Sequence, residues 1–545
     1  MNDSATKTKP LGYINFDGTT GPNNEVEIVV PHDRLSELRR GQYVLLSSDS
    51  TGALRHYLAR IIRGPFYIPD AVSKDSAFAR ASILQADEVK FRPDFHGICR
   101  AEVLGELPDA ESLAFSGAFS RPAPQTAVTP LGPERIKQLL GLDGDMYLGK
   151  LTGYPEVRVF FKSDNKAVIP RNLGIFGTVG SGKTNTSQVL IEEAAQAGFA
   201  VIVIDVEGEY VDMDKPSAEA KNKPSLRKRM QEFAVEPDRL KNLQVFHCRG
   251  TEPQRSDSRE IGVRFGNISP YVLAELLDLS DVQHDLFLEL YLDLERRSAP
   301  KLKKAKGLVG ALTEDEQRPA SGLALQDILD ATEAKLADDK TKNKSSWGVL
   351  LRKFKRLARY GVFDPGDDLG DYRELLKPQL VSVFDLSGSQ NVMVNNVLIS
   401  DILRGLFDLK ARDKKSELPR TLIVIEEAHT FVSRDNVKRM EETLDTLRDI
   451  SRRGRKRWLA LCFISQQPSH LPPEIYELCN TKVVHQTTGG RNLSALKDSA
   501  GGVNEAVWDE VPVLGQGRCL IMSPQFRHPV LCDVRPCKTQ RKFTD

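Results

Sequence analysis

Residues 177–184 read Gly-Thr-Val-Gly-Ser-Gly-Lys-Thr, which is the phosphate-loop spacing GxxxxGK[ST]. Glycines at these intervals let successive backbone N–H groups converge on phosphate oxygens. A helix opening directly after the loop turns the positive end of its dipole toward the same anion. The chemistry is that of a bound ATP: Lys183 reaches the β- and γ-phosphates, and the Thr184 hydroxyl ligates Mg²⁺. Gly177, Thr178, Val179, Gly180, Ser181, Gly182 and Asn185 complete the expected cradle.

Hydrolysis needs carboxylates beside such a loop. Leu422-Ile423-Val424-Ile425-Glu426-Glu427-Ala428-His429 is an apolar run ending in two of them. One carboxylate holds the metal's hydration shell and the next polarises the attacking water, so Glu426 is read as the metal residue and Glu427 as the water activator. Asp205-Val206-Glu207-Gly208-Glu209-Tyr210 ends another apolar run, and either Asp205 or Glu209 supports the metal or the water, with Glu207 a loop residue. Ser465-Gln466-Gln467-Pro468 ends a third; a neutral amide there senses the γ-phosphate, with Gln466 preferred and Gln467 its rival. Five cations fall within six residues at Arg452-Arg453-Gly454-Arg455-Lys456-Arg457; they make a solvated face, or one or two of them meet phosphate. Arg171 precedes the run that feeds the phosphate loop, 12 residues before Lys183. A strand advances about 3.3 Å per residue, so Arg171 lies on the order of 10 Å or more behind its own nucleotide. It either reaches a neighbouring subunit's nucleotide as an arginine finger or forms a salt bridge at the junction with the N-terminal region.

These residues must be held by elements, and the hydrophobic pattern supplies them. Leu173–Phe176, Phe199–Ile204, Leu380–Phe384, Leu422–Ile425 and Leu459–Ile464 are short continuous apolar runs alternating with helical pattern. Such runs are buried on both faces of a parallel sheet with crossover helices, giving an α/β core. Before the core, residues 11 to about 107 alternate in short strands punctuated by Asp17-Gly18, Gly21-Pro22, Arg40-Gly41 and Gly64-Pro65, the pattern of a small β-barrel. The expected domains are an N-terminal β-barrel at 1–115, a proline-rich linker at 116–155, the core at 156–210 and 376–525, a helical insertion at 211–375 and a C-terminal tail at 526–545.

The 545 residues are 40% hydrophobic and 28% charged, ordinary for a globular protein. The formal net charge is only +1, so any nucleic-acid contact has to be a local patch. Seven cysteines without CxxC pairs point to reduced thiols and not to a zinc site. The polar start Met1–Lys7 has no apolar signal core, and no run reaches the ~20 apolar residues of a membrane span, so a cytoplasmic protein is expected.

The order and spacing of Gly177–Thr184, Asp205 with Gly208-Glu209-Tyr210, Glu426–His429, Arg452 with Gly454-Arg455-Lys456, and Ser465–Ser469 resemble a HerA-type ATPase of the HerA/FtsK branch of P-loop motors. The resemblance covers most of the chain. It implies a RecA-like core, a collar barrel, a homo-hexameric ring and ATP-driven translocation of double-stranded DNA. It also implies a partner docked on the barrel: a NurA-like or defence nuclease, or a sirtuin-type NADase in antiphage defence. Arg171 and Arg452 fall where the family places its trans-acting and sensor arginines, and residues around Leu514–Arg518 resemble an extension that clasps the adjacent subunit. A ring that only assembles and regulates an effector, without obligatory translocation, is the alternative. The expected DNA contacts are Lys301–Lys306, Lys340–Lys344, or the helix bearing Arg352, Lys353, Lys355, Arg356 and Arg359.

Overall fold

A computed structural model describes residues 9–16, 24–50, 53–84, 93–298, 322–364, 371–389, 392–430 and 441–542. The chain divides into two compact units: residues 1–162 with 500–534, and residues 163–499 with 535–545. The Lys301–Lys306 cluster lies outside the described residues.

The first unit contains a closed six-stranded barrel of β1 (Gly12–Ile14), β2 (Glu25–Val30), β3 (Tyr43–Ser50), β4 (Ala53–Pro69), β5 (Phe95–Leu107) and β6 (Ala127–Pro130), in the order β1-β2-β5-β4-β3-β6. Alternation makes it: along β2, Val26, Ile28 and Val30 point to a core shared with Leu46, Tyr57, Ala101 and Val128, while the intervening residues face outward. The sixth strand corrects the expected linker at 116–155. Val128 pairs with Gly12 on one side and Leu46 on the other, so β6 closes the barrel. A four-residue strand set among Pro122, Pro124, Pro130 and Pro133 is too short to show a period of two.

The same unit holds an antiparallel sheet built from β7 (Met146–Leu151) and β8 (Arg158–Phe161).

The second unit is a parallel eight-stranded sheet. Its strands are β9 (Leu173–Phe176), β10 (Ala200–Asp205), β11 (Leu243–Cys248), β12 (Arg259–Ile261), β13 (Val381–Asp385), β14 (Thr421–Ile425), β15 (Leu459–Ser465) and β16 (Thr481–Val484), ordered β12-β11-β13-β10-β14-β15-β9-β16. Every residue of β9, β10, β13, β14, β15 and β16 is buried, which is why most of these strands read as mainly apolar runs, β16 with Thr481 and Lys482 being the exception. The expected insertion at 211–375 is not purely helical, because it contributes β11 and β12 to the sheet edge. Its helices pack through Phe287 of Asp281–Ser298 and Phe354 of Lys344–Ala358, whose rings lie 5.4 Å apart. In the second of these helices Trp347, Leu350, Phe354 and Leu357 recur at helical spacing on the buried face.

Two further strands, β17 (Arg518–Met522) and β18 (Val530–Val534), pair with each other, and β18 pairs with β7 in the first unit. Residues 500–534 therefore group with the barrel and not with the core, and 526–545 is not a simple tail. Pairing across more than 370 residues leaves no local signal in the sequence. Among the described residues, no helix is long and apolar enough to cross a membrane.

Candidate functional site

In a parallel sheet, every strand's C-terminal end lies on the same edge. Ile204 pairs with Ile425, Ile425 with Phe463, and Ser465 with Phe176. The loops that leave β10, β14, β15 and β9 therefore meet. They carry Asp205–Tyr210, Glu426–His429, Gln466 and the phosphate loop respectively, so four segments scattered over the sequence form one site.

The phosphate loop rises from the buried strand β9 and ends at the helix Lys183–Gln196. Gly182 caps that helix with φ +108°, a conformation that other residues rarely adopt. A Cβ at Gly177 would meet the His485 Cβ and the Ser181 Oγ at 2.7 Å each, so the loop's first position also has no room for a side chain. The Thr178 N–H and hydroxyl both donate to the Gln486 carbonyl, at 2.8 and 3.0 Å. The Ser181 hydroxyl donates to the Thr178 carbonyl at 2.7 Å. Lys183 Nζ donates to the same carbonyl at 3.0 Å. Val179 stands exposed at the tip. Burial pushes the Lys183 ammonium below its ordinary value, opposed by the charges of Glu427, Glu426 and Glu209.

Glu426 and Glu427 are both buried, and their environments differ. Glu427 has φ +42°, a left-handed turn that sends consecutive carboxylates to different partners. Its Oε2 accepts the Gln466 N–H at 3.3 Å and lies 3.1 Å from His429 Nδ1. Burial alone would raise this carboxyl. The His429 ring, the Lys183 charge and the Gln466 N–H outweigh burial and hold it below the usual carboxylate range. Glu426 instead accepts the Tyr210 hydroxyl at 3.4 Å and lies against Asp205. Burial, with the negative charge of Asp205 added, pushes Glu426 far above the ordinary carboxylate range. Two neighbouring carboxyls pushed in opposite directions are suited to different roles, one favouring its ionised form and the other its neutral form.

Asp205 is fully buried, and its oxygens accept the N–H groups of Gly208 (2.7 Å), Glu209 (3.2 Å) and Tyr210 (2.9 Å). It shapes the loop, and the loop delivers Glu209 to the Thr184 hydroxyl, with which Glu209 hydrogen-bonds. Of the two alternatives, Glu209 is therefore the one beside the Thr184 hydroxyl. Among the described residues, the buried Oε2 atoms of Glu209 and of Glu426 have no hydrogen-bond donor. Two donorless carboxylate oxygens near a threonine hydroxyl and a buried lysine suit a Mg²⁺ ion carried in on nucleotide phosphates. In that arrangement Thr184, Glu426 and Glu209 would hold the ion directly or through water.

Asn185 is committed elsewhere. Its Nδ2 donates to the Arg535 carbonyl at 2.8 Å and its Oδ1 accepts the Cys537 N–H at 3.0 Å. Its side chain thus anchors a C-terminal strap and not the nucleotide, because residues 535–542 return across the phosphate-loop helix. There Arg535, fully buried, places its guanidinium 2.9 Å from Glu192 and 2.7 Å from Glu193. Lys538 and Thr539 donate backbone N–H groups to Glu192. The Lys542 N–H reaches the Glu209 carbonyl at 3.3 Å. This strap had no sequence signal. His429 had one, standing two residues after Glu427, and Tyr210 stood in the quoted Gly-Glu-Tyr run.

Gln466 is half-buried with its N–H on Glu427, whereas Gln467 is exposed. Arg171 and Arg452 are not brought to Lys183. The turn Ile169–Arg171 precedes β9 and packs against the turn Gly454–Arg457, which precedes β15. Both lie at the N-terminal edge of the sheet, and β15 is seven residues long, which is about 20 Å. Arg452 is exposed there, and Arg171 makes no salt bridge among the described residues.

Residues 146–406 match the family model described as the helicase HerA central domain. The DNA double-strand break repair helicase HerA of Saccharolobus solfataricus is 24% identical over 96% of this chain and 92% of that one. A probable helicase of Methanocaldococcus jannaschii is 20% identical over 94% of this chain and 93% of that one. Among solved structures, VirB4 of Thermoanaerobacter pseudethanolicus gives a TM-score of 0.48 at 18% identity, covering 72% of this chain and 96% of that one. The chain is thus similar to the HerA helicase central domain over these residues, is distantly similar to HerA helicases over most of its length, and is an ATPase.

Proposed function

We propose that this ATPase is a double-stranded DNA translocase that works as a homo-hexameric ring, with Mg²⁺-ATP bound at each phosphate loop. The observation that carries the reading is the split between the two edges of the sheet. Lys183, Glu426, Glu427 and Gln466 gather at one edge, and Arg171 and Arg452 stand at the other. A transition state for phosphoryl transfer gains most from an arginine at the γ-phosphate. Neither Arg171 nor the basic run reaches its own subunit's site, and in this reading one of them serves a neighbouring copy's nucleotide instead. In the chemical step, Glu427 accepts the proton of the attacking water, Lys183 and the loop N–H groups hold the phosphates, and Gln466 responds to loss of the γ-phosphate through its contact with Glu427. Mg²⁺, when bound, neutralises the phosphate charge.

A partner nuclease or other effector of DNA processing or antiphage defence docks on the barrel unit. Large apolar side chains left in solvent support this: Phe66 and Tyr67 on β4, and Ile83 and Leu84 on the helix Ala77–Leu84. The test is ATPase activity with and without linear double-stranded DNA, alongside the mass in solution. A hexamer accelerated by DNA is the expected result. A monomer that hydrolyses ATP at full rate, indifferent to DNA, would overturn the proposal.

A further inference from the structure

A second group of cations stands apart from the ATP site. The loop leaving β11 carries Arg249, and the end of the helix Lys344–Ala358 carries Arg356, followed by Arg359. These three arginines line one open cavity together with Gly250, Thr251 and Gly388. All three are exposed. Among the described residues, none of them forms an ion pair with a carboxylate, and no carboxylate lines the cavity. Their neighbours are different: Lys355 pairs with Glu333 at 2.7 Å, Lys344 with Asp339 at 3.2 Å, and Lys353 donates to the Asp278 carbonyl. On this helix, then, Lys344 and Lys355 meet a carboxylate, while Arg356 and Arg359 converge with Arg249, which is more than 100 residues away in sequence.

We propose that the Arg249–Arg356–Arg359 cavity is a phosphate subsite for the DNA backbone. This rests on the translocase reading and deepens it by naming the surface that holds the polyanion. Three uncompensated guanidiniums around a concave surface with glycine backbone on its wall suit phosphate oxygens, and they carry no base-reading geometry. One loop links the cavity to the ATP site. Its wall residue Gly388 follows Ser387, whose hydroxyl accepts from Gln254 at 3.2 Å and lies against Gly208, between Asp205 and Glu209. A backbone phosphate held here sits one loop away from the carboxylate beside Thr184.

The experiment compares the full chain with the triple variant Arg249→Gln, Arg356→Gln, Arg359→Gln. The readout is anisotropy of a labelled linear duplex titrated over a range of salt. The control is Lys414→Gln with Lys415→Gln, two exposed cations outside the cavity. Thermal melting checks that the triple variant is folded. The expected result is weakened DNA binding, with the slope of log K against log salt reduced by about 0.9 for each phosphate that the variant no longer neutralises. The control should keep the native slope, and excess inorganic phosphate or ATP should not reproduce the weakening. Native binding and slope in the folded triple variant would overturn the subsite and leave the translocase reading intact. Failure of the unaltered chain to bind duplex DNA would overturn both. A native slope together with altered ATP affinity would reassign the cavity to free nucleotide.

Discussion

Glu427 turns its Oε2 to the Gln466 N–H and the His429 ring, while Glu426, its neighbour in the chain, turns Oε1 to the Tyr210 hydroxyl and lies against Asp205. The left-handed φ of Glu427 separates them. The same peptide therefore offers a single site two carboxyls whose affinities for a proton are pushed in opposite directions.

Because Glu427 is held below the usual carboxylate range, it stays ionised as pH falls through that range. Hydrolysis should persist into acid and fall only below it. Removing the ring with His429→Ala takes away a lowering interaction, so the acid limb of the rate profile moves to higher pH. Glu427→Gln should cost about 10²–10⁴-fold in rate while ATP binding survives, as expected for loss of a general base. A variant with native turnover would remove Glu427 from the mechanism.

Glu426 has the opposite sign. Its folded-state pKa is raised, so the folded protein binds its proton more tightly than the unfolded chain does. That contribution is present below the ordinary carboxylate range and is lost as pH rises toward the raised value. Without nucleotide, Glu426→Gln should flatten the fall in melting temperature with rising pH. The same substitution should raise the Mg²⁺ concentration needed for half-maximal hydrolysis. An unchanged Mg²⁺ requirement would remove Glu426 from the metal shell.

Lys183→Ala should reduce ATP hydrolysis by roughly two to three orders of magnitude, comparable to removing a preorganised charge donor at a transition state. Mixing tests the source of the arginine. Arg171→Ala protein and Lys183→Ala protein should each be inactive alone. Combined, they should regain activity, because an intact Lys183 then faces an intact Arg171 from another subunit. No recovery in mixed assemblies of confirmed composition would reject the trans assignment.

Arg535→Ala leaves Glu192 and Glu193 buried without their guanidinium, and losing one partner of a buried pair costs about 3–5 kcal/mol. Denaturant unfolding of the nucleotide-free chain measures this. The phosphate-loop helix should lose amide-exchange protection first, since the strap lies along it. Uniform loss of protection over the second unit would show that the strap has no particular hold on that helix.

Local pattern carried the segments that meet at the candidate site. The phosphate loop, the paired glutamates at the end of an apolar run and Gln466 were legible in the amino-acid order: glycine spacing, a fully buried strand, a polar residue where it stops. The α/β class followed from the same runs. Long-range folding set what such patterns cannot encode. Strand order put four distant loops on one edge and Arg171 and Arg452 on the other. The chain's return placed Arg535 against Glu192 and Glu193, took Asn185 away from the nucleotide and made Asp205 a loop anchor. A four-residue strand from a proline-rich stretch closed the barrel. In each case the deciding partner lies tens to hundreds of residues away, and an energy set by desolvation and long-range pairing leaves no mark on nearby sequence.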